Sequence, residues 1–576
     1  MRLKYRFGAH GMNANRFDAV IIGSGFGGAV TAYRLAQAGL SVCVLERGKS
    51  YAPGSFPRAP HEMARNFWAP DDQLYGLFDV RSFRGKLWSI VGSGLGGGSL
   101  IYAGALHRME RVDEDLWPIT PSELEPHYER VERKLGAQPY PFGTGTPYDD
   151  TPKTRAFKQA ADRLGLPWEL PNLGITFADC GQQPEIGTQI REGENLHGSQ
   201  RVTCRLCAEC NLGCNHGSKN SLDFNYLTEA QQCGAEIRTL SEAREIAPDA
   251  DGGYVVRYMR HDSDALKSAT DAPTLELHAE RLILAAGTFG TTELLLRNRR
   301  FFPSISPLLG HRFSGNGNLL TFAMHALDEA TGQPLRLEPW RGPVITSAIR
   351  VPDDPEKNLG GFYVEDAGYP LFLAWVLESA RPSMLARLGR FAVQRRWAHW
   401  SRSTTTNMGR SLAEAIGSGD LSSSSLPLLC IGRDDANGVL SLRHGVLDVD
   451  WPVGRPREYD ERVRATARAI AAAWGAQLRD SPFPGLNRRV TVHPLGGCPM
   501  GRSVHEGVAD SQGEVFGYPG LYVADGSVMP GPVGANPSLT IAALADHFAD
   551  AMIEQTHGAA RVAVRRRLSF TSVDAE

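Results

Sequence analysis

The stretch from Phe17 to Glu46 constrains this chain more than any other. Phe17-Asp-Ala-Val-Ile-Ile22 is an apolar, β-branched run that reads as a buried strand. Gly23-Ser-Gly-Phe-Gly-Gly28 follows, then a helical run to Ala38, with Gly39 where a helix ends. Leu40 to Leu45 reads as a second strand, closed by Glu46. Strand, glycine turn, helix, strand and acid in this order open a Rossmann-like parallel sheet. The glycines permit a tight turn and aim backbone N–H groups, with the helix N-terminus, at a pyrophosphate. Glu46 stands at the distance suited to a ribose hydroxyl.

Two further segments repeat parts of this device. Gly92-Ser-Gly-Leu-Gly-Gly-Gly-Ser99, beside apolar Leu100 and Ile101, reads as main chain packed against something flat or phosphorylated. Leu282 to Ala286, Gly287-Thr-Phe-Gly290 and Thr292 to Arg297 give another strand, turn and helix. Tyr254-Val-Val256 and Leu275-Glu-Leu277 predict a β-meander. Residues 116–199, rich in proline, and residues 311–489 carry no nucleotide-type signal. They are predicted to form a substrate domain inserted into the nucleotide domain.

A chain of 576 residues has room for two or more domains. Its formal net charge of -3 excludes a bulk basic field for nucleic acid. Residues 1–15 hold Arg2, Lys4 and Arg6 without an apolar stretch, so no secretory signal is expected. No run approaches the ~20 apolar residues that span a bilayer. Nine cysteines, four of them within 204–214, suit a reducing compartment, and the expected location is the cytoplasm.

The chemistry-bearing residues cluster near the C-terminus. Val490-Thr-Val492 reads as a strand that carries His493 to its end, and Pro494 biases His493 toward extended geometry. The glycines that follow leave space for a planar ring, and an imidazole is suited to handle a hydroxyl proton near neutral pH. The alternative is a structural histidine bonded to backbone. Asn536 precedes Pro537, which fits the first position of a helix through Leu544. Asn536 then either caps that helix or offers its amide to a ligand.

Cys204-x2-Cys207-x2-Cys210-x3-Cys214 has the spacing of a bacterial ferredoxin ligand run, with Asn215 where proline usually follows. The set suits an iron–sulfur cluster, a closed zinc site, or structural thiols. Residues 381–400 combine Met384, Leu388, Phe391 and two tryptophans with five arginines. That segment reads either as an amphipathic helix covering the substrate domain or as a peripheral membrane contact.

Four segments together carry a family resemblance from about Asp18 to Ala549: Ile22-Gly-Ser-Gly-Phe-Gly-Gly, Val91-Gly-Ser-Gly-Leu-Gly-Gly-Gly-Ser, Ala286-Gly-Thr-Phe-Gly-Thr-Thr-Glu-Leu-Leu, and the His493 and Asn536 region. The chain resembles the glucose–methanol–choline (GMC) oxidoreductases, in particular their cholesterol-oxidase branch. The resemblance implies an α/β fold, a Rossmann-like FAD-binding domain interleaved with a substrate domain built on an antiparallel β-sheet with helices. On that reading residues 12–115, 200–310 and 490–557 form the FAD domain, 116–199 and 311–489 the substrate domain, and 558–576 a basic tail. It implies FAD, and oxidation of an alcohol by hydride transfer to flavin N5. Gly23, Gly25, Gly28, Glu46, Gly92, Gly97, Ser99 and Asp525 match the family's FAD contacts. His493 and Asn536 match its catalytic pair, and Glu365 resembles the carboxylate that moves a proton in sterol isomerisation. The implied substrate is a 3β-hydroxysteroid, with oxygen or a redox partner as acceptor. A long-chain or terpenoid alcohol dehydrogenase using an iron–sulfur cluster is an alternative, as are a flavin lyase, a photodecarboxylase and an electron-transfer flavoprotein. Ser93, Tyr102, residues 380–425 and the cysteine run depart from the family pattern.

Overall fold

The apolar N-terminal run forms the strand Arg16–Ile22, whose last four residues are buried, and the second strand is Val42–Leu45, buried throughout. Between them the helix Phe26–Gln37 buries Phe26 through Ala32, Leu35 and Ala36. The computed structural model describes residues 15–570 except 85–86, 112, 262–272, 355, 357–359, scattered positions between 380 and 416, 452–457 and 482–488. The first sheet has seven strands in the order Glu236–Arg238, Val42–Leu45, Arg16–Ile22, Thr274–Leu284, Tyr254–Arg260 and Ser241–Pro248, with Leu521–Val523 pairing Thr274–Leu284. The pairings around Arg16–Ile22 are parallel, as is that of Leu521–Val523. Tyr254–Arg260 and Thr274–Leu284 pair antiparallel as the expected meander, which Ser241–Pro248 extends by a third strand. Ile22, Leu45, Leu284 and Val523 thus end on one edge, the carboxyl-end crevice where open α/β sheets bind ligands.

The second sheet draws on both regions that lack nucleotide signals. Its order is Gln477–Arg479, Leu319–Met324, Leu426–Gly432, Phe362–Glu365, Ala348–Val351 and Trp168–Glu169. Every pairing is antiparallel. One face packs Leu319, Ile349, Val364 and Leu428 against Phe157, Val463 and Ile470. These last come from the helices Pro152–Leu164 and Glu458–Ala473. Because side chains alternate along a strand, Leu320, Phe322, Pro427 and Leu429 point the other way.

A third, smaller sheet makes the long-range join that matters most. Arg489–Thr491 runs parallel to Leu87–Gly92, Thr491 opposite Ser89. His493 therefore emerges beside the start of the second glycine loop. The C-terminal helix Ser538–Phe570 continues past the expected boundary at 557. Asp546 on that helix accepts hydrogen bonds from Arg130 and His127, both at 2.8 Å, and pairs with Arg34, which pins three helices together. Much of 381–400 lies outside the described residues; Val393, Trp397 and Trp400 are exposed. No helix among the described residues is long and apolar enough to cross a membrane.

Candidate active site

The strand ends open onto a cavity of about 1150 Å³, lined in part by Gly23, Gly25, Glu46, Gly92, Gly97 and Asp525. Gly23 has φ +100°, and a Cβ there would stand 2.3 Å from the Ala285 carbonyl oxygen, so the turn admits only glycine. A Cβ on Gly25 would meet nothing within 4 Å, which leaves its backbone facing open space at a helix N-terminus. Gly28 works differently. It is absent from the cavity wall, and its Cβ would strike the Gly23 carbonyl oxygen at 2.0 Å, so it lets helix and strand close together. Gly97 brings the two loops into contact, since a Cβ on it would lie 2.7 Å from Gly25 Cα.

Two expected contacts take another form. The Ser99 hydroxyl does not reach the cavity; it donates to the Gly96 carbonyl at 2.7 Å and accepts from the Leu222 N–H at 3.1 Å. It fixes the loop from behind. Asp525 lines the cavity, but its oxygens already accept from the Gly287 N–H (2.8 Å), the Thr291 hydroxyl (2.5 Å), and the N–H and hydroxyl of Ser527 (2.8 and 2.6 Å). Burial raises its pKa, and these hydrogen bonds oppose the rise. Asp525 ties the third glycine turn to the C-terminal one. Glu46 accepts from the Ser24 hydroxyl at 2.6 Å and the Gly48 N–H at 2.8 Å, so its carboxylate is fixed beside the first glycine turn.

His493 and Asn536 line the same cavity. The loop Gly315–Asn318 organises both. Asn316 donates to the Ala535 carbonyl at 2.7 Å and accepts from the N–H groups of Val533 and Gly534 at 3.0 and 3.1 Å. Asn318 accepts from the Val492 N–H at 3.2 Å, which turns its NH2 group toward His493 Nδ1 at 3.0 Å. That nitrogen therefore accepts, and the neutral ring carries its proton on Nε2. Burial pushes the His493 pKa down to about 4. Asn536 is buried, and its side-chain oxygen has no hydrogen-bond partner, so it does not cap the following helix. Sequence reasoning missed Asn316 and Asn318; the turn-forming run Ser314-Gly-Asn-Gly-Asn318 was their only signal.

Glu365 ends its strand fully buried, and neither carboxylate oxygen has a hydrogen-bond partner. It does not itself line the cavity, although the nearby Ala367 and Gly368 do. It stands directly opposite Leu429, and Leu429 stands on a strand that also places Pro427 in the cavity wall. Opposed residues share a face, so Glu365 lies on the cavity side of the sheet. Next to it, Asp366 accepts from the N–H groups of Thr346 and Ser347, both at 2.9 Å, and pairs with buried Lys153 at 3.2 Å.

The four cysteines line a separate cavity of about 20 Å³, together with Lys219. All four are free thiols. No three of their sulfurs lie within 4.8 Å of one another. In a closed zinc site, thiolates 2.3 Å from the ion stand about 3.8 Å apart, so this arrangement does not match that alternative.

A parallel sheet whose strand ends surround a dinucleotide-sized cavity, with an imidazole and an amide on its wall, defines a flavin-dependent, alcohol-oxidising enzyme. The exposed Gly25 backbone, the Glu46 carboxylate and a volume above the ~300–1000 Å³ of common ligand pockets fit FAD together with a substrate. The chain belongs to the GMC oxidoreductases. Residues 194–299 and 451–545 match that family, and residues 18–71 match the FAD-dependent oxidoreductases. It is similar to a cholesterol oxidase of Mycobacterium tuberculosis (strain CDC 1551 / Oshkosh), at 29% identity over 92% of this chain and 90% of that protein. It is also similar to a cholesterol oxidase of Acinetobacter baumannii, at 27% identity over 93% and 94%. A fungal aryl-alcohol oxidase shares the fold, with a TM-score of 0.55 and 16% identity over 95% of this chain and 100% of that one.

Proposed function

We propose that the substrate is a bulky, lipophilic secondary alcohol, a 3β-hydroxysteroid, which is oxidised to its ketone. His493, Asn536 and Glu365 form the catalytic set in this reading. One observation carries it: His493 and Asn536, whose side-chain oxygen is unpartnered, share a cavity walled by the apolar face of Leu320, Phe322, Pro427 and Leu429. The similarity to cholesterol oxidases supports the same substrate class.

When bound, FAD supplies the two-electron acceptor for the carbinol C–H bond. Gly23, Gly25, Glu46, Gly92 and Gly97 would hold it, with Gly28, Ser99 and Asp525 setting the shape of their loops. His493 donates from Nε2 to the carbinol oxygen and orients the alcohol. It does not take the hydroxyl proton, because its Nδ1 lone pair is committed to Asn318. Asn536 holds the second side of the reacting centre through its amide. In this reading Glu365, on the cavity side of the sheet, receives the hydroxyl proton and moves a proton between ring carbons in double-bond isomerisation. Oxygen or a redox partner would be the final electron acceptor. The second reading, a long-chain or terpenoid alcohol dehydrogenase whose electrons leave through a cluster, rests on the spacing of Cys204, Cys207, Cys210 and Cys214 alone.

Anaerobic mixing of the holoenzyme with sterols, long-chain alcohols and terpenoid alcohols tests this. Bleaching of the flavin absorbance by sterols at least tenfold faster than by the others is expected. No bleaching by any sterol would overturn the substrate assignment. Exposed Trp375, Val393, Trp397 and Trp400 support peripheral contact with a lipid surface from which such a substrate would come. The free state of all nine cysteines supports a reducing, cytoplasmic setting.

A further inference from the structure

Oxidising an alcohol releases a proton, and the site described above gives it no evident route out. His493 has its free lone pair occupied by Asn318. Glu365 is fully buried. The route begins in the register of the second sheet. Glu169 stands opposite Ala348, and Ala348 stands opposite Glu365, on three consecutive strands. Opposed residues share a face, so both carboxylates point to the same side with only a methyl group between them. Two strand spacings separate them by roughly 10 Å, too far for direct transfer.

His107 fills that gap. Its Nε2 is 3.6 Å from Glu365 Oε1, and its Nδ1 is 3.6 Å from Glu169 Oε1. Side-chain exposure rises along the row, from 0% at Glu365 to 6% at His107 and 42% at Glu169. Both Glu365 oxygens and His107 Nε2 are buried without hydrogen-bond partners, a costly state that native proteins rarely keep without use. The Tyr363 ring, 4.4 Å away, holds the imidazole in place, and its hydroxyl is tied to Glu110, which pairs with Arg350. The other ionisable groups near Glu365 are the Lys153–Asp366 pair and Cys430. None of these bridges the two carboxylates. The 3.6 Å gaps exceed a hydrogen bond, and catalytic contacts of this kind tighten when substrate binds.

We infer that His107 relays the hydroxyl proton of the substrate from Glu365 to Glu169 and so to solvent. This rests on the alcohol-oxidation reading above. The substrate O–H bond breaks and its proton goes to Glu365, while the carbinol C–H electron pair leaves to the bound FAD. Glu365 passes the proton to His107 Nε2, and the Nδ1 proton of the imidazolium passes to Glu169. Glu365 and, after release to solvent, Glu169 return to their carboxylate forms, while His107 is left neutral with its proton on Nε2 and is reset by a ring flip. An imidazole suits this position because one nitrogen can accept while the other releases.

The test uses the FAD-loaded enzyme in weak buffer with a pH indicator, mixed anaerobically with cholesterol in detergent. In the wild type, proton release keeps pace with flavin bleaching. In His107→Phe, which keeps the ring packing, proton release falls at least tenfold behind bleaching. In His107→Ala, added imidazole restores release. His107→Gln serves if His107→Phe does not fold, and it too must lag. Release in step with bleaching in any folded variant overturns the relay while leaving alcohol oxidation intact. A wild-type enzyme that no alcohol bleaches overturns the functional reading itself.

Discussion

Two cavities flank the loop Gly97–Tyr102, and they differ in kind. The larger, about 1150 Å³, sets glycine backbone at strand ends beside charged side chains such as Glu46, Arg47 and Arg81. The smaller, about 20 Å³, is lined by thiols and the Lys219 side chain and holds little more than one water-sized guest. Lys219 joins them: its ammonium donates to the carbonyls of Leu100 (2.7 Å) and Cys210 (2.6 Å). Burial brings Lys219 down to about 8 and pushes the Cys207 thiol up to about 12. Backbone-lined space with a helix end stands ready for a large anionic cofactor. Cys204, Cys207 and Cys210, whose thiols burial holds protonated, make the second space a packed support for the loop. Cavity chemistry, more than the presence of a motif, separates a binding site from a brace.

The largest effect should come from filling the backbone cradle. A Cβ on Gly25 meets nothing in the chain, so Gly25→Leu should fold and yet obstruct the phosphate path. We expect FAD affinity to fall at least 100-fold, about 2.7 kcal/mol, read as the flavin-to-protein absorbance ratio of folded protein. Full flavin content would break the comparison. Next, His493→Ala should slow anaerobic flavin bleaching by ~10²–10³-fold at unchanged FAD content. Asn318→Leu, which frees Nδ1, should slow it by roughly tenfold and not change flavin content. Equal rates for Asn318→Leu and wild type would show that the tautomer is not set by this amide.

The pH profile sharpens the same point. Because the His493 pKa lies near 4, the ring stays neutral above about pH 5, and bleaching should show no histidine limb between pH 5 and 8. An inflection near 6.5 that disappears in His493→Gln would contradict this. The smallest effect is expected at the brace. Purified protein should contain FAD without stoichiometric iron or acid-labile sulfide, and Cys207→Ser should bleach within about twofold of wild type. Four irons per flavin would turn the brace into a redox centre.

Much of the FAD cradle was legible because its physics is local. A strand, a glycine turn and a helix follow one another within residues 16–46, and Glu46 lies where the second strand ends. The segments carrying His493 and Asn536 were legible for the same reason, each a polar residue beside a glycine-rich turn. Ser99 and Gly28 show the limit, since a matching motif did not tell whether a residue faces the cofactor space or the packing behind it.

The sequence by itself determined the nucleotide-type fold and the flavin-dependent class, and it singled out His493 and Asn536, which line one cavity, because short-range backbone geometry requires particular residues at particular spacings. Only the tertiary structure decided that Trp168–Glu169 joins a sheet with strands from 319–479, that Asn318 fixes the proton on His493 Nε2, and that His107 stands between two carboxylates. Those outcomes depend on register between strands far apart in the chain. A shift of one residue would turn every side chain to the opposite face.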